Sequence, residues 1–129
     1  MKRGLRLFLF VLIALMVKPF ITYAEIETID VNKAEEYLKA GYTIIDVRDK
    51  DEFKSGHIKG AINIDYYNDE FEKLFQEKLK DKNKEYVLYC RSGMRSLYAS
   101  PILEELGYTK IKNMKGGIIA WKESGKPVE

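Results

Sequence analysis

At 129 residues the chain has room for one domain. Its composition, 46% hydrophobic and 33% charged, is that of a globular protein and excludes a disordered or fibrous one. The formal net charge of +2 belongs to the first 24 residues, which carry Lys2, Arg3, Arg6 and Lys18 and no acid; without them the balance is −2, and the clustered basic face that nucleic-acid binding needs is missing.

Lys2, Arg3 and Arg6 precede an uninterrupted apolar run, Leu7 to Val17, and Thr22-Tyr23-Ala24 has the small-residue ending suited to cleavage. That run, closed by Lys18-Pro19, is short against the roughly 20 residues a spanning helix needs. Residues 1–24 are expected to be a signal peptide cleaved after Ala24. This leaves residues 25–129 as the exported domain, in the periplasm and with no membrane attachment after cleavage. Export bears on Cys90, the single cysteine. Small exported domains in oxidising compartments carry cysteines in even numbers for disulfides, and one cysteine cannot make an internal bridge. Cys90 is then an inert buried thiol, half of an intermolecular bridge, or a reactive group.

From Glu25, E-I-E-T-I alternates as a short strand does, and Asn32 with Glu35 forms a capping-box pattern that predicts a helix to Ala40, stopped by Gly41. Ala34, Tyr37 and Leu38 form its buried stripe. Tyr42 to Val47 is a near-continuous β-branched apolar run, expected of a strand covered on both faces in a parallel sheet. Arg48 to Gly60 is a charged connection with room for one helical turn around Asp51 to Phe53, and it leads into a short strand, Ala61 to Ile64. Phe71, Leu74, Phe75 and Leu79 recur at helical spacing, with Asp69 and Glu70 placed in the first turn. Lys80 to Lys84 reads as a solvated polar connector.

Glu85 to Ser96, E-Y-V-L-Y-C-R-S-G-M-R-S, is a short apolar strand that delivers Cys90 into a glycine-containing loop opening a helix. Backbone N–H groups and a positive helix end favour thiolate over thiol there. Gly93 permits positive φ or close approach of a substrate, while Arg91 and Arg95 lower the thiol pKa and can bind an oxyanion. In the following helix Tyr98, Ala99, Ile102, Leu103 and Leu106 share a face, and Pro101 either kinks the helix or restarts it with Ser100 as cap. Ile111 to Met114 is a last strand, Gly116-Gly117 opens an amphipathic segment carrying Trp121, and Gly125 to Glu129 reads as a tail.

This alternation implies a three-layer α/β domain with a parallel sheet, whose sites form outside the C-terminal strand ends. Cys90 falls at one such end, and Asp46 and Arg48 at another, where a charge pair supporting the loop geometry is expected. Arg95 either folds back onto Asp46 or Glu52 as a latch or faces substrate beside Arg91. Met94 sits at the loop rim. His57 is expected to be structural, and Trp121, Tyr86, Tyr89 and Tyr98 to pack in the core or at the rim.

Five stretches in order, I-I-D-V-R (44–48), D-E-F-x-x-G-H-I-x-G-A-I-N-I (51–64), C-R-S-G-M-R-S (90–96), L-G-Y (106–108) and G-G-I-x-A-W (116–121), make the chain resemble a single-domain rhodanese. The resemblance implies a small α/β fold with a central, mostly parallel five-stranded sheet flanked by helices. It maps the persulfide-carrying cysteine onto Cys90 and the anion-holding loop onto Arg91, Ser92, Gly93, Met94 and Arg95. The implied activity is a sulfurtransferase that takes sulfane sulfur from a small anionic donor, thiosulfate or polysulfide, and passes it to cyanide, a thiol or a protein acceptor, with no metal or organic cofactor. A monomer is expected. One alternative is a non-turnover carrier of sulfane sulfur for a partner protein. Another is a cysteine phosphatase or arsenate reductase, whose H-C-x5-R loop differs from the C-x4-R spacing here, where Tyr89 precedes Cys90 and Ser96 follows Arg95.

Overall fold

Five short strands and five helices alternate along residues 26–129, the part of the chain that the computed structural model describes; the expected signal peptide lies outside the described residues. In chain order they are β1 (Glu27–Ile29), α1 (Val31–Lys39), β2 (Thr43–Asp46), α2 (Lys50–Lys54), β3 (Ile62–Asn63), α3 (Phe71–Lys78), β4 (Tyr86–Tyr89), α4 (Met94–Glu105), β5 (Ile111–Met114) and α5 (Gly117–Glu123). The strands form one sheet in the order β1-β5-β4-β2-β3, and every pairing is parallel.

The central strand β4 is hydrophobic at every position because both faces are covered. On one face Ile45, Tyr86, Leu88 and Ile111 meet Phe71 and Phe75 of α3 and Ala99 and Leu103 of α4. On the other, Ile44, Val87, Tyr89 and Met114 meet Ala34 of α1 and Ile118 and Trp121 of α5. The result is the three-layer arrangement. Full burial of a side chain the size of Phe75 or Leu88 stabilises the fold by roughly 1.5–3 kcal/mol. Phe75 is set edge-on to Tyr108, with ring centroids 5.0 Å apart, and the Tyr108 hydroxyl donates to the Leu79 carbonyl at 2.6 Å.

Helix starts differ from those expected. The Asp30 side chain, not Asn32, caps α1 by accepting from Lys33 N at 2.7 Å, because beginning at Val31 buries that side chain. The capping box falls instead on α2, between Asp49 and Glu52. Asp69 and Glu70 lie before α3, in a turn where Asn68 accepts from Glu70 N–H through its side chain and from Phe71 N–H through its carbonyl.

Pro101 neither ends nor restarts α4, which runs unbroken from Met94 to Glu105. Ser100 is no cap; its hydroxyl donates to the Ser96 carbonyl at 2.7 Å. Pro101 lies on the exposed side, where the carbonyl it leaves without a donor can be hydrated. The buried face is Ser96, Ala99, Ser100 and Leu103, and Tyr98 points outward.

Two polar stretches are also better held than a solvated connector and a loose tail. Lys82 Nζ donates to Gln76 Oε1 at 2.9 Å and the Leu106 carbonyl at 2.7 Å. Residues 126–129 fold back: His57 and Glu129 exchange two backbone hydrogen bonds of 2.8 Å, and Trp121 Nε1–H donates to the Pro127 carbonyl at 2.9 Å. Among the described residues no helix is long and apolar enough to cross a membrane.

Candidate active site

β4 is buried at every residue and pairs with β2 and β5, so Cys90 leaves the sheet from its central strand. The chain then turns through Arg91 and Ser92 to Gly93, whose φ of +104° reverses it into α4. A side chain at that φ is strained, and a β-carbon there would lie 3.1 Å from the Gly116 nitrogen, so glycine is required twice over.

Cys90 Sγ sits at the base of this turn, at 1% exposure. Burial by itself pushes the thiol pKa up. It is outweighed by the Ser96 N–H and hydroxyl and the N–H groups of Gly93 and Ser92, so the thiol lies below its ordinary value. Gly93 N–H donates to Sγ at 3.1 Å and the Ser96 hydroxyl at 3.6 Å. These donors come from the turn that enters α4 and from the helix's first turn, folded over one sulfur as a cradle for an anion.

α5 holds the loop from behind. The N–H groups of Ile118 and Ile119 donate to the carbonyls of Cys90 (2.9 Å) and Arg91 (3.2 Å), so the first turn of that helix is satisfied by the loop. Gly117 allows this approach, because a β-carbon there would press directly on both carbonyls.

The two arginines of the loop part ways. Arg91 is exposed, and among the described residues no carboxylate lies within 4 Å of it. Arg95 turns back onto α2 and forms a bidentate pair with Glu52, at 2.7 and 2.8 Å. The Glu52 carboxyl, bonded to Arg95 and placed at the capping box, is pulled down to about 2, and Arg95 is raised in turn. Of the two latch partners open to Arg95, the structure selects Glu52. The Tyr67 ring lies 5.8 Å from the Arg95 guanidinium carbon. Ser92 and Met94 are exposed on the loop's outer surface.

Asp46 and Arg48 do form a charge pair, fully buried, with Arg48 Nη2 2.7 Å from Asp46 Oδ2. The same nitrogen donates to the Gly56 carbonyl at 2.7 Å, so the pair anchors the segment after α2, and the Arg48 guanidinium carbon lies 5.7 Å from the ring centre of Tyr89, the residue before Cys90. Beside it, Val47 N–H donates to the Tyr89 carbonyl at 3.0 Å, tying β2 to the residue before Cys90. Burial and the Asp46 charge push the Tyr89 phenol well above its usual range, and its oxygen accepts from Ile58 N–H at 3.1 Å. Tyr89 therefore stays neutral and structural. His57 stacks on Phe53 at 3.8 Å between ring centroids and its Nδ1 lies 3.0 Å from the Phe53 carbonyl, which makes it a brace for the long connection.

Sequence reasoning missed Ser96 and the backbone of Gly116 to Ile119. Ser96 was legible as the third residue of a helix opening after Gly93, where N–H groups lack partners. The α5 contacts were not legible, because nothing local brings residue 118 to residue 90.

The family model for the rhodanese-like domain matches residues 30–124. The chain belongs to this family. The rhodanese-like domain here is 38% identical over 112 residues to Rhodanese-like domain-containing protein 17 of Arabidopsis thaliana, covering 79% of this chain and 72% of that one. It is 34% identical over 115 residues to Thiosulfate sulfurtransferase 18 of the same plant, covering 81% and 84%. Among solved structures, the polysulfide-sulfur transferase homodimer of Wolinella succinogenes is similar with a TM-score of 0.69 and 29% identity, covering 81% of this chain and 79% of that one. The all-parallel five-stranded sheet between two helical layers is the fold of these relatives, and the rhodanese-like domain has homologues of sulfurtransferase kind.

Proposed function

We propose that the protein is a sulfurtransferase that moves sulfane sulfur from thiosulfate or polysulfide through a Cys90 persulfide to a thiophilic acceptor. The observation that carries this reading is the buried Sγ enclosed by N–H donors, which stabilise a thiolate without an adjacent base. The Cys90 thiolate attacks the outer sulfur of thiosulfate, a sulfur–sulfur bond forms at Sγ, and the bond to the sulfonate sulfur breaks with its electron pair leaving as sulfite. A polysulfide donor reacts likewise and leaves one sulfur shorter. An acceptor nucleophile then removes the outer sulfur and returns the electron pair to Cys90, which is ping-pong covalent catalysis.

In this reading Arg91 draws the anionic donor to the loop, and the N–H groups of Ser92, Gly93 and Ser96 hold the anionic sulfur. Arg95, neutralised by Glu52, fixes loop shape. The short C-x4-R loop with Arg95 turned away leaves phosphoryl chemistry without its arginine, which favours sulfur over phosphate. The names of the relatives, a thiosulfate sulfurtransferase and a polysulfide-sulfur transferase, support both donors. We further place the protein outside the cytoplasm, on the strength of Leu7 to Val17 behind three basic residues.

The test is steady-state turnover of thiosulfate and cyanide together with a mass spectrum of the thiosulfate-treated protein. Turnover, and a gain of one sulfur that cyanide removes and Cys90→Ser abolishes, are expected; labile sulfur retained in Cys90→Ser overturns the reading. Labile sulfur without turnover converts it to a carrier. The same spectrum reads whether the exported chain starts at Glu25.

A further inference from the structure

Among the described residues the exposed large apolar side chains are Tyr67 (71% exposed), Tyr98 (54%), Met94 (51%), Val128 and Leu97 (37%). All but Val128 border the Cys90 loop. Met94 follows Gly93, and Leu97 and Tyr98 stand three and four residues on, so they share the outer face of α4, which exposed Pro101 extends by another turn. Tyr67 reaches the same rim over Arg95. The opposite face of α4 is packed on the sheet through Ala99 and Leu103. A helix apolar on both faces is one whose second face is covered, and an exposed patch of this kind marks an interaction surface.

Charge is distributed to match. The first acid on α4 is Glu104, beyond the patch, and Asp69, Glu70 and Glu72 line the groove between Tyr67 and Ile102 away from the sulfur, whereas the loop end carries the exposed cation Arg91, and exposed Lys115 precedes the Gly116 that adjoins Gly93. Among the described residues neither cation has a carboxylate within 4 Å. Thiosulfate and cyanide are small polar anions and make no use of an apolar apron of two helical turns. A second copy of the chain also fails as acceptor, since its one thiol is Cys90, closed at the base of its own loop.

We propose that the sulfur acceptor is a cysteine in an acidic, apolar polypeptide segment of a partner protein, laid along α4 from Met94 to Pro101 with its thiolate over the loop and its acid facing Arg91. This rests on the sulfurtransferase reading above and names its acceptor. The partner's thiolate attacks the terminal sulfur of Cys90–S–SH, a new sulfur–sulfur bond forms on the partner, and the bond to Cys90 Sγ breaks with its electron pair returning to Cys90 as thiolate. The outer sulfur takes a proton from water after loading and keeps it on transfer, and no external oxidant or reductant enters.

The experiment loads the full protein with sulfur from thiosulfate. It measures kcat/KM for transfer to three synthetic peptides: cysteine flanked by leucines with a neighbouring aspartate, the same peptide with lysine for aspartate, and cysteine flanked by glycine and serine. The leucine–aspartate peptide is expected to exceed the glycine–serine peptide by about tenfold or more, the scale of a hot-spot contact, with the lysine peptide between. Tyr98→Glu and Leu97→Glu should each lower transfer to the leucine–aspartate peptide about tenfold while leaving cyanide turnover and melting temperature unchanged. Tyr98, the more exposed, carries the test should Leu97→Glu unfold. Equal rates for the three peptides, or variants that accept the peptide undiminished, overturn the proposal. So does a dimer in sedimentation that Tyr98→Glu disperses, since a second copy then owns the face. Failure of the underlying reading has a different signature, no labile sulfur on the unaltered protein, and removes the acceptor proposal with it.

Discussion

Cys90 is pulled in two directions, since a sulfur 1% exposed resists ionisation while the donors of Ser92, Gly93 and Ser96 favour it, and the donors prevail. Ser96 is the only one of them that supplies both backbone and side chain. In Ser96→Ala the thiol pKa is expected to rise, because the thiolate loses a hydrogen bond that favours it. The pH profile of alkylation by iodoacetamide reads this directly; an unmoved profile means that the hydroxyl contributes nothing. The Glu52–Arg95 latch gives a second, acid-range prediction. The folded Glu52 carboxyl is held at about 2 against an ordinary 4.5, so its contribution is fully present above pH 4.5 and is lost as pH falls through 2. Urea unfolding midpoints taken from pH 5 down to pH 2 should therefore fall less steeply in Glu52→Gln than in the parent. Parallel slopes refute the latch.

At the scale of elements, the strands were legible because a run such as Thr43 to Asp46 or Tyr86 to Tyr89 can bury both faces only inside a parallel sheet. Helix starts were legible less well, since two or three nearby polar residues could each cap and burial chose among them, Asp30 winning because Val31 packs in the core. Pro101 illustrates the same competition. Taken locally it breaks a helix, yet α4 continues because its inner face is anchored on β4 and β5 and the proline faces out. The start of α5 is the most demanding junction. In Gly117→Ala a β-carbon would meet two loop carbonyls at a φ of +59°, and a loss of about 2–4 kcal/mol is expected, together with slower alkylation of Cys90 as the loop shifts. Thermal melting and alkylation kinetics check this, and a variant as stable as the parent would show that α5 does not constrain the loop.

For the whole molecule, the C-terminal residues close a circuit from α5 to the long connection that supports Glu52. Deleting residues 126–129 removes the backbone pairing with His57 and leaves the Trp121 indole N–H without its acceptor. The expected cost is about 1–3 kcal/mol, visible as a lower urea midpoint with an unchanged slope. A midpoint equal to the parent's would mean that the segment behaves as the tail its composition suggests. The alternation of elements, the three layers, the place of Cys90 after a buried strand and the candidate loop were all legible from one chain, since each depends on periodicity and turn residues a few positions apart.

What the sequence determined by itself was thus the α/β class, the single thiol and the loop around it, through hydrophobic period, glycine positions and the spacing from Cys90 to Arg95. Only the tertiary structure decided which carboxylate takes Arg95, that α5 holds the cradle from behind, and that among the described residues one face of α4 stays uncovered beside the sulfur. Those are contacts between residues 43 and 28 positions apart, Glu52 with Arg95 and Cys90 with Ile118, or the lack of a cover. Pattern along a chain records which side chains want burial or charge neutralisation, and the packing of the layers settles where each of them finds it.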